Sequence, residues 1–308
     1  MHPIPVTCHG SIAQAGYREE NAVSERARGL AITTLAMLVI TPDVLLIRLI
    51  DTDPWTLAFW RGLLSAAGLV IGIVAIYRRR ALEIALAPGI PGLVIGTLFG
   101  IGTIAFVWSI THTSAASTLL IIATGSMFGA VFSWLLMRER LPVYTVVAMV
   151  GTFAGLLIIV SGKAGAGSSL EGDLAALVVA VLSGLTFALI RKHRMTDMVP
   201  TLAIGGLVTA AIAVAVSLPV AVGAGDARLI AVMGLVMLPL AFSLQFVGAR
   251  YIPAPEVLLL FLLEAVLAPL LLWAAIGETP TGTTIIGGLV ILATLASHAV
   301  WSLRRQTG

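Results

Sequence analysis

The sequence predicts an all-α integral membrane protein of ten transmembrane helices, arranged as two inverted five-helix repeats. Three observations predict it. The chain is 59% hydrophobic and only 11% charged over 308 residues, with a mean hydropathy of +1.06, beyond what a water-soluble surface tolerates. Its apolar stretches recur at a length suited to a bilayer. Its basic residues gather in short clusters at alternate gaps between those stretches.

Residues 1–28 are polar, with Arg18, Glu19, Glu20, Asn21, Glu25, Arg26 and Arg28, and are expected to form a flexible or surface-lying cytoplasmic arm. The first apolar run begins too late, is too long, and carries Pro42 and Asp43, against a cleaved signal peptide. A hydrocarbon core of about 30 Å needs about 20 mainly apolar residues per helix. On that basis a first repeat (29–162) holds spans near 29–50, 54–77, 88–111, 113–137 and 142–162. A second (163–303) holds spans near 170–190, 199–222, 228–249, 253–275 and 280–303, leaving 304–308 as a cytoplasmic tail.

Lys and Arg are retained on the cytoplasmic side. Arg18, Arg26, Arg28, Arg78 to Arg80, Arg138, Arg140, Arg191, Lys192, Arg194, Arg250, Arg304 and Arg305 make 14 of the 18 basic residues on that side. Arg48, Lys163 and Arg228 lie near outer ends, and Arg61 lies within a span. Both termini are then cytoplasmic. The net charge of +3 is dispersed rather than gathered on a stripe, so no nucleic-acid partner is implied. The single cysteine, Cys8, excludes an intrachain disulfide and offers no metal-ligand spacing.

The repeat emerges when the fourth span is laid on the ninth. Trp134 matches Trp273, Glu139 matches Glu278, and Leu119-Leu120 match Leu258-Leu259, all at a shift of 139 residues. The second and seventh spans open alike, Pro54-Trp55-Thr56-Leu57-Ala58 against Pro200-Thr201-Leu202-Ala203. Five spans per copy is an odd number, so the second copy is inverted. Inverted repeats make inward-open and outward-open states interconvertible by exchange of the halves' conformations, which implies a transporter.

These residues carry a resemblance. Phe59-Trp60-Arg61, Arg138-Glu139-Arg140-Leu141-Pro142, Gly172-Asp173-Leu174 and Gly277-Glu278-Thr279-Pro280 resemble the drug/metabolite transporter superfamily, specifically its EamA-type members, over about 29–303. Arg138 stands where a Gly is usual, a departure expected to cost little because the Glu and the Pro remain. The resemblance implies ten helices around a central cavity and a bacterial inner-membrane location. It also implies fifth and tenth spans at the periphery or at a dimer contact, hence a monomer or homodimer, and no ATP hydrolysis or other cofactor. Within the family the chain looks like exporters of amino acids and related metabolites, including the aromatic amino-acid and methyl viologen type.

An ionisable group at a helix centre costs about 2.5 to 3.5 kcal/mol on insertion scales, so each needs a partner or a wet cavity. Glu264, mid-span with Pro269 beyond it, is a candidate to bind a substrate ammonium or a coupling proton, or else a carboxyl hydrogen-bonded to a neighbouring helix. Asp43 follows Pro42, which kinks the first span; Gly184 and Thr186 are its neighbours in the sixth span, where a bend would offer backbone groups to a zwitterion. Arg61 is placed to take a substrate carboxylate bidentately, or to pair structurally with Asp43, itself also within reach of Arg48. Glu256 and His298 are candidate inner-gate or coupling residues with Arg250, or residues that snorkel to the interface. Trp108, Ser109, His112, Phe242, Gln245 and Phe246, in the third and eighth spans, offer an aromatic and amide lining for an amphipathic solute, or are packed or lipid-facing. Gly68/Gly72, Gly96/Gly100, Gly125/Gly129 and Gly151/Gly155 have the spacing of close helix contacts.

The expectation is a secondary transporter, an exporter of amino acids or related small metabolites across the bacterial inner membrane, with a small-molecule substrate and the lipid bilayer as its partners. A multidrug, hydrophobic-cation or lipid transporter is the alternative. An integral-membrane enzyme would need clustered catalytic groups at one depth, and the five histidines, His2 and His9 among them in the arm, make no such cluster.

Overall fold

The structure is a computed structural model, and it describes residues 9–113, 118, 121–139, 142–161, 169–276 and 282–304. Leu119, Leu120, Arg140, Leu141, Lys163, the Gly277 to Pro280 element and Arg305 lie outside the described residues, as do His2 and Cys8. The described residues are helical with no strand, as backbone exposed to lipid requires. In chain order they form α1 (His9–Ile40), α2 (Pro42–Leu49), α3 (Pro54–Tyr77), α4 (Ala81–Leu86), α5 (Gly89–His112), α6 (Gly125–Met137), α7 (Val143–Ser161) and α8 (Leu170–Lys192). They continue as α9 (Thr201–Val216), α10 (Ala224–Val232), a π-helical turn (Met233–Met237), α11 (Leu238–Gly248), α12 (Ala254–Leu260), α13 (Leu262–Ile276) and α14 (Gly282–Arg304). Six stretches are long and apolar enough to cross a membrane, and four more apolar helices are shorter, Ile121–Met137, Val143–Ile158, Thr201–Val216 and Ile285–His298.

Local chemistry sets several boundaries. Asp53 caps α3, its carboxylate accepting from the backbone N–H of Trp55 at 3.0 Å and Thr56 at 3.1 Å, with Pro54 at the first helical position. Ser169 caps α8 in the same way through Gly172 N–H at 3.1 Å. Pro42 has no N–H to continue α1 and starts α2 instead, while Thr41 Oγ1 donates to the Met37 carbonyl at 2.7 Å. Arg138 closes α6 in the left-handed region with φ of 55°. That conformation explains why a Gly is usual there, and an Arg carries about 1 kcal/mol of backbone cost. The N-terminal segment departs from expectation, because α1 is helical from His9 and brings Arg26 into contact with the bundle.

Packing is reciprocal between the halves. α3 packs on α9, α7 on α14, and α6 on α12, each pairing corresponding spans; α5 packs on α8 as α1 packs on α11, and α5 on α9 as α3 packs on the π-turn. Corresponding helices run in opposite directions, since Thr56 of α3 meets Val220 just beyond α9 while Gly62 meets Gly206 further back. That is the signature of an inverted repeat. α7 and α14 pack chiefly against each other and share a separate apolar cluster around Leu156, Ile291 and Leu295.

Small residues permit these crossings. A Cβ on Gly62 would lie 2.6 Å from the Gly206 carbonyl oxygen, and one on Gly206 would lie 2.6 Å from that of Gly62, so the two backbones touch where the repeats cross. Of the pairs expected from spacing, Gly96 and Gly100 abut α9 and Gly151 and Gly155 abut α14, whereas Gly72 meets nothing within 4 Å and packs on no helix. Gly206→Val is therefore expected to destabilise by about 1 to 3 kcal/mol through overpacking, and Gly72→Val to leave stability unchanged. Thermal unfolding of the purified variants in detergent checks the contrast.

Candidate functional site

α3 carries Arg61 two turns in from its capped start, and there it meets two helix irregularities. The break at Thr41 and Pro42 puts Asp43 in the first turn of α2, where a carboxylate is favoured by the exposed helix N–H groups. Arg61 Nη1 donates to Asp43 Oδ1 at 2.7 Å and Nη2 to Oδ2 at 2.9 Å, a bidentate pair whose side chains are only 4% and 5% exposed. Arg61 Nη1 also reaches Met233 Sδ at 3.2 Å, in the π-turn, a distortion that recurs at functional sites. Arg61 Nε is buried and has no partner among the described residues.

Beside this pair lies a cavity of about 140 Å³ of space for the centres of water-sized spheres, roughly ten times what one water needs. Both repeats line it. Leu98, Phe99, Gly102, Thr103 and Phe106 come from α5; Val179, Leu182, Ser183, Thr186 and Phe187 from α8; Phe242 and Gln245 from α11; and Leu258, Phe261, Leu262 and Glu264 from the ninth span. The ninth span breaks at Phe261, with Glu264 N–H bonded to the Phe261 carbonyl at 3.1 Å, so Glu264 enters the cavity from the first turn of α13. The fourth span turns at Thr124, 137 residues earlier. Among the described residues the Glu264 carboxyl has no hydrogen bond or ion pair. Thr186 also lines the cavity, and its hydroxyl is buried away from it without a partner among the described residues.

Toward the arginine-rich end the cavity stops at a cluster of phenyl rings. Phe99 meets Phe242 at 4.8 Å and Phe246 at 5.4 Å between centroids, and Phe187 meets Phe261 at 5.3 Å and Phe246 at 6.0 Å, all near edge-on. Below them sit the fully buried Ile190, Ala249, Ile252 and Ala254.

Of the residues singled out from sequence, Asp43, Arg61, Phe242, Gln245 and Glu264 are brought together at the cavity. Phe246 is 1% exposed and supports the wall rather than lining it. Trp108, Ser109 and His112 are elsewhere, because α5 carries them past the cavity to its far end. There Trp108 stacks on His112 at 3.9 Å and tilts against Trp55 at 5.3 Å, and Ser109 bonds Thr118 at 2.8 Å. α8 runs unbroken past Gly184 and Thr186, so the expected bend is absent; Gly184 is where α6 packs closely, 2.7 Å from Gly129 N to a Cβ built there. Arg61 takes Asp43 and so is not free for a substrate carboxylate.

Glu256 and His298 do meet, at the arginine-rich end, but not with Arg250. Glu256, 1% exposed, forms an ion pair with Arg26, accepts from Thr145 Oγ1 at 3.4 Å and lies 3.9 Å from His298 Nε2. Arg26 also stacks over Tyr144, 5.6 Å from its centroid. Arg250 instead donates to the Arg194 carbonyl at 2.9 Å and faces Asp197 at 4.0 Å. Sequence reasoning missed Arg26 and Thr145, and at the cavity Thr103, Ser183 and the phenyl rings of α5 and α8. Their one visible signal was hydroxyls one turn apart, Ser183 and Thr186, on an otherwise apolar helix.

Asp43→Asn leaves Arg61 charged and unpaired in the bundle and is expected to cost about 3 to 5 kcal/mol. The double variant Asp43→Leu/Arg61→Met removes both charges and is expected to recover most of that loss. Melting temperatures of the single and double variants test the pairing.

Comparison with known proteins agrees with this architecture. The EamA-like transporter family matches twice, over residues 28–161 and 170–297. A solved structure titled only as the crystal structure of a protein superposes with a TM-score of 0.75 over 91% of this chain and 99% of that one, at 21% sequence identity, which shows a common fold. No curated protein matches. With the two matched segments falling on the two halves that pack reciprocally, the chain belongs to the EamA-like transporter family.

Proposed function

We propose that this protein is a secondary transporter that exports amino acids or related small metabolites across a bacterial inner membrane by alternating access. On this reading ten helices cross the bilayer and both termini are cytoplasmic. One observation carries the proposal: a mid-bundle cavity lined from both repeats in which a carboxyl group, Glu264, has no side-chain partner among the described residues. An unpaired ionisable group inside a membrane protein marks a substrate or ion path, and a cavity at the repeat interface is where alternating-access carriers hold their solute. The five phenyl rings around it, Phe99, Phe106, Phe187, Phe242 and Phe261, equally favour a hydrophobic-cation carrier as the second reading.

The inner gate is the charged cluster. Arg26, Thr145, Glu256 and His298 join the starts of the first, fifth and ninth spans to the end of the tenth. Opening toward the arginine-rich side requires these to part, and the phenyl cluster above them to separate. A carrier crosses only if its solute binds the intermediate states without locking one of them.

Counterflow in proteoliposomes tests the function. Saturable, competitor-sensitive uptake of a labelled amino acid is expected, with Glu264→Gln reducing it at least about tenfold; uptake equal to that of protein-free vesicles removes the reading. For the gate, Ala249→Cys in a Cys8→Ser background lies beneath the phenyl cluster. Adding Glu256→Gln is expected to speed its labelling by an impermeant maleimide from the cytoplasmic side about threefold or more, and an unchanged rate excludes Glu256 from the gate.

A further inference from the structure

We infer that the cavity selects by net charge and takes a monocationic primary amine on an apolar or aromatic body in preference to a zwitterion or an anion; this rests on the carrier reading above and narrows its solutes from amino acids to their amine relatives. The charged groups lining the cavity, among the described residues, are Asp43, Arg61 and Glu264. Two of them cancel. Both Asp43 oxygens accept from Arg61, at 2.7 and 2.9 Å, and the guanidinium's remaining buried nitrogen, Nε, is not exposed to a solute. What a solute meets is one carboxyl group, Glu264, with no salt bridge or side-chain hydrogen bond among the described residues.

A solute carboxylate finds no such complement. To pair bidentately with a cation it must draw Arg61 off Asp43, which strands a carboxylate that is 5% exposed on its side chain, and breaking one side of a buried pair is strongly unfavourable. An ammonium asks for nothing of the kind. It offers three N–H donors, of which the Glu264 carboxyl, in the cavity wall, takes one. The rest of the solute faces phenyl rings, whose faces attract a cation and whose area accepts an apolar body. Phe106, Phe242 and Phe261 come from three different spans, so the ring environment surrounds the solute rather than flanking it on one side.

The test is a set of three molecules sharing one ring: 2-phenylethylamine, phenylalanine and 3-phenylpropionate, cation, zwitterion and anion at neutral pH. Equilibrium binding of labelled 2-phenylethylamine and labelled phenylalanine is measured on the full-length protein in lipid nanodiscs, where membrane permeation of the free amine does not interfere. Saturable binding of the amine is expected at least about tenfold tighter than that of phenylalanine, with no displacement by 3-phenylpropionate. Glu264→Gln is expected to lose the amine by at least about tenfold and Glu264→Asp to retain measurable binding, with monodispersity and melting temperature confirming that both variants fold. The ranking of the three probes on the unmodified protein stands whatever the variants do. Phenylalanine binding as tightly as the amine, or 3-phenylpropionate displacing it, overturns the charge selection and leaves the carrier reading in place. Absence of saturable binding by either labelled probe overturns the selection, and if counterflow is absent too the carrier reading falls with it.

Discussion

The pair between Asp43 and Arg61 is the interaction on which the centre of this molecule depends. It ties the kinked first span to the second, and through Met233 it reaches the π-turn of the eighth. Neither charge is tolerable alone at that depth, and together they satisfy each other through two short hydrogen bonds. The pair thus has two effects of one cause. It fixes three helical segments around the cavity, and it leaves the Glu264 carboxyl as the ionisable lining group outside the pair among the described residues.

Around that centre, the bundle is assembled by close backbone approach. In lipid, apolar side chains gain little by leaving tails of the same polarity for one another, so association relies on packing and on polar contacts. Gly62 and Gly206 touch at the crossing of the second and seventh spans, and Gly100 lets α5 come within 2.5 Å of the Gly205 carbonyl as measured from a Cβ position. These contacts repeat across the two halves, whereas the ends differ. The arginine-rich end is held by ions, Arg26 with Glu256, and the other by hydroxyls, Thr113 Oγ1 donating to Asp173 at 2.8 Å and Ser169 Oγ to the His112 carbonyl at 2.7 Å.

The all-helical fold and its two-repeat layout were legible in the sequence because hydropathy and the lengths of apolar runs are properties of composition along the chain. Asp43, Arg61 and Glu264 were legible for the same reason, as ionisable groups inside apolar runs. Which face a residue presents was not. α5 is apolar all round, so nothing in its period told Trp108 and Ser109, beyond the cavity, from Thr103 and Phe106, within it. The partner of Glu256 was hidden for another reason, since Arg26 is 230 residues away in a polar segment and no local pattern links them. The break at Phe261 lacks the proline that announces the one at Pro42.

The π-turn has a geometric consequence for the eighth span. A π-turn is an α-helix with a residue inserted, and each residue advances an α-helix by about 100°. Everything after Met233–Met237 is therefore rotated by about that angle from where an uninterrupted helix would present it. Phe242 and Gln245 face the cavity by virtue of this phase, and shortening the turn by one residue would aim a different set of side chains inward while leaving the walls from the other helices as they are. The inner lining of this span is a matter of register, set by the position of one additional residue.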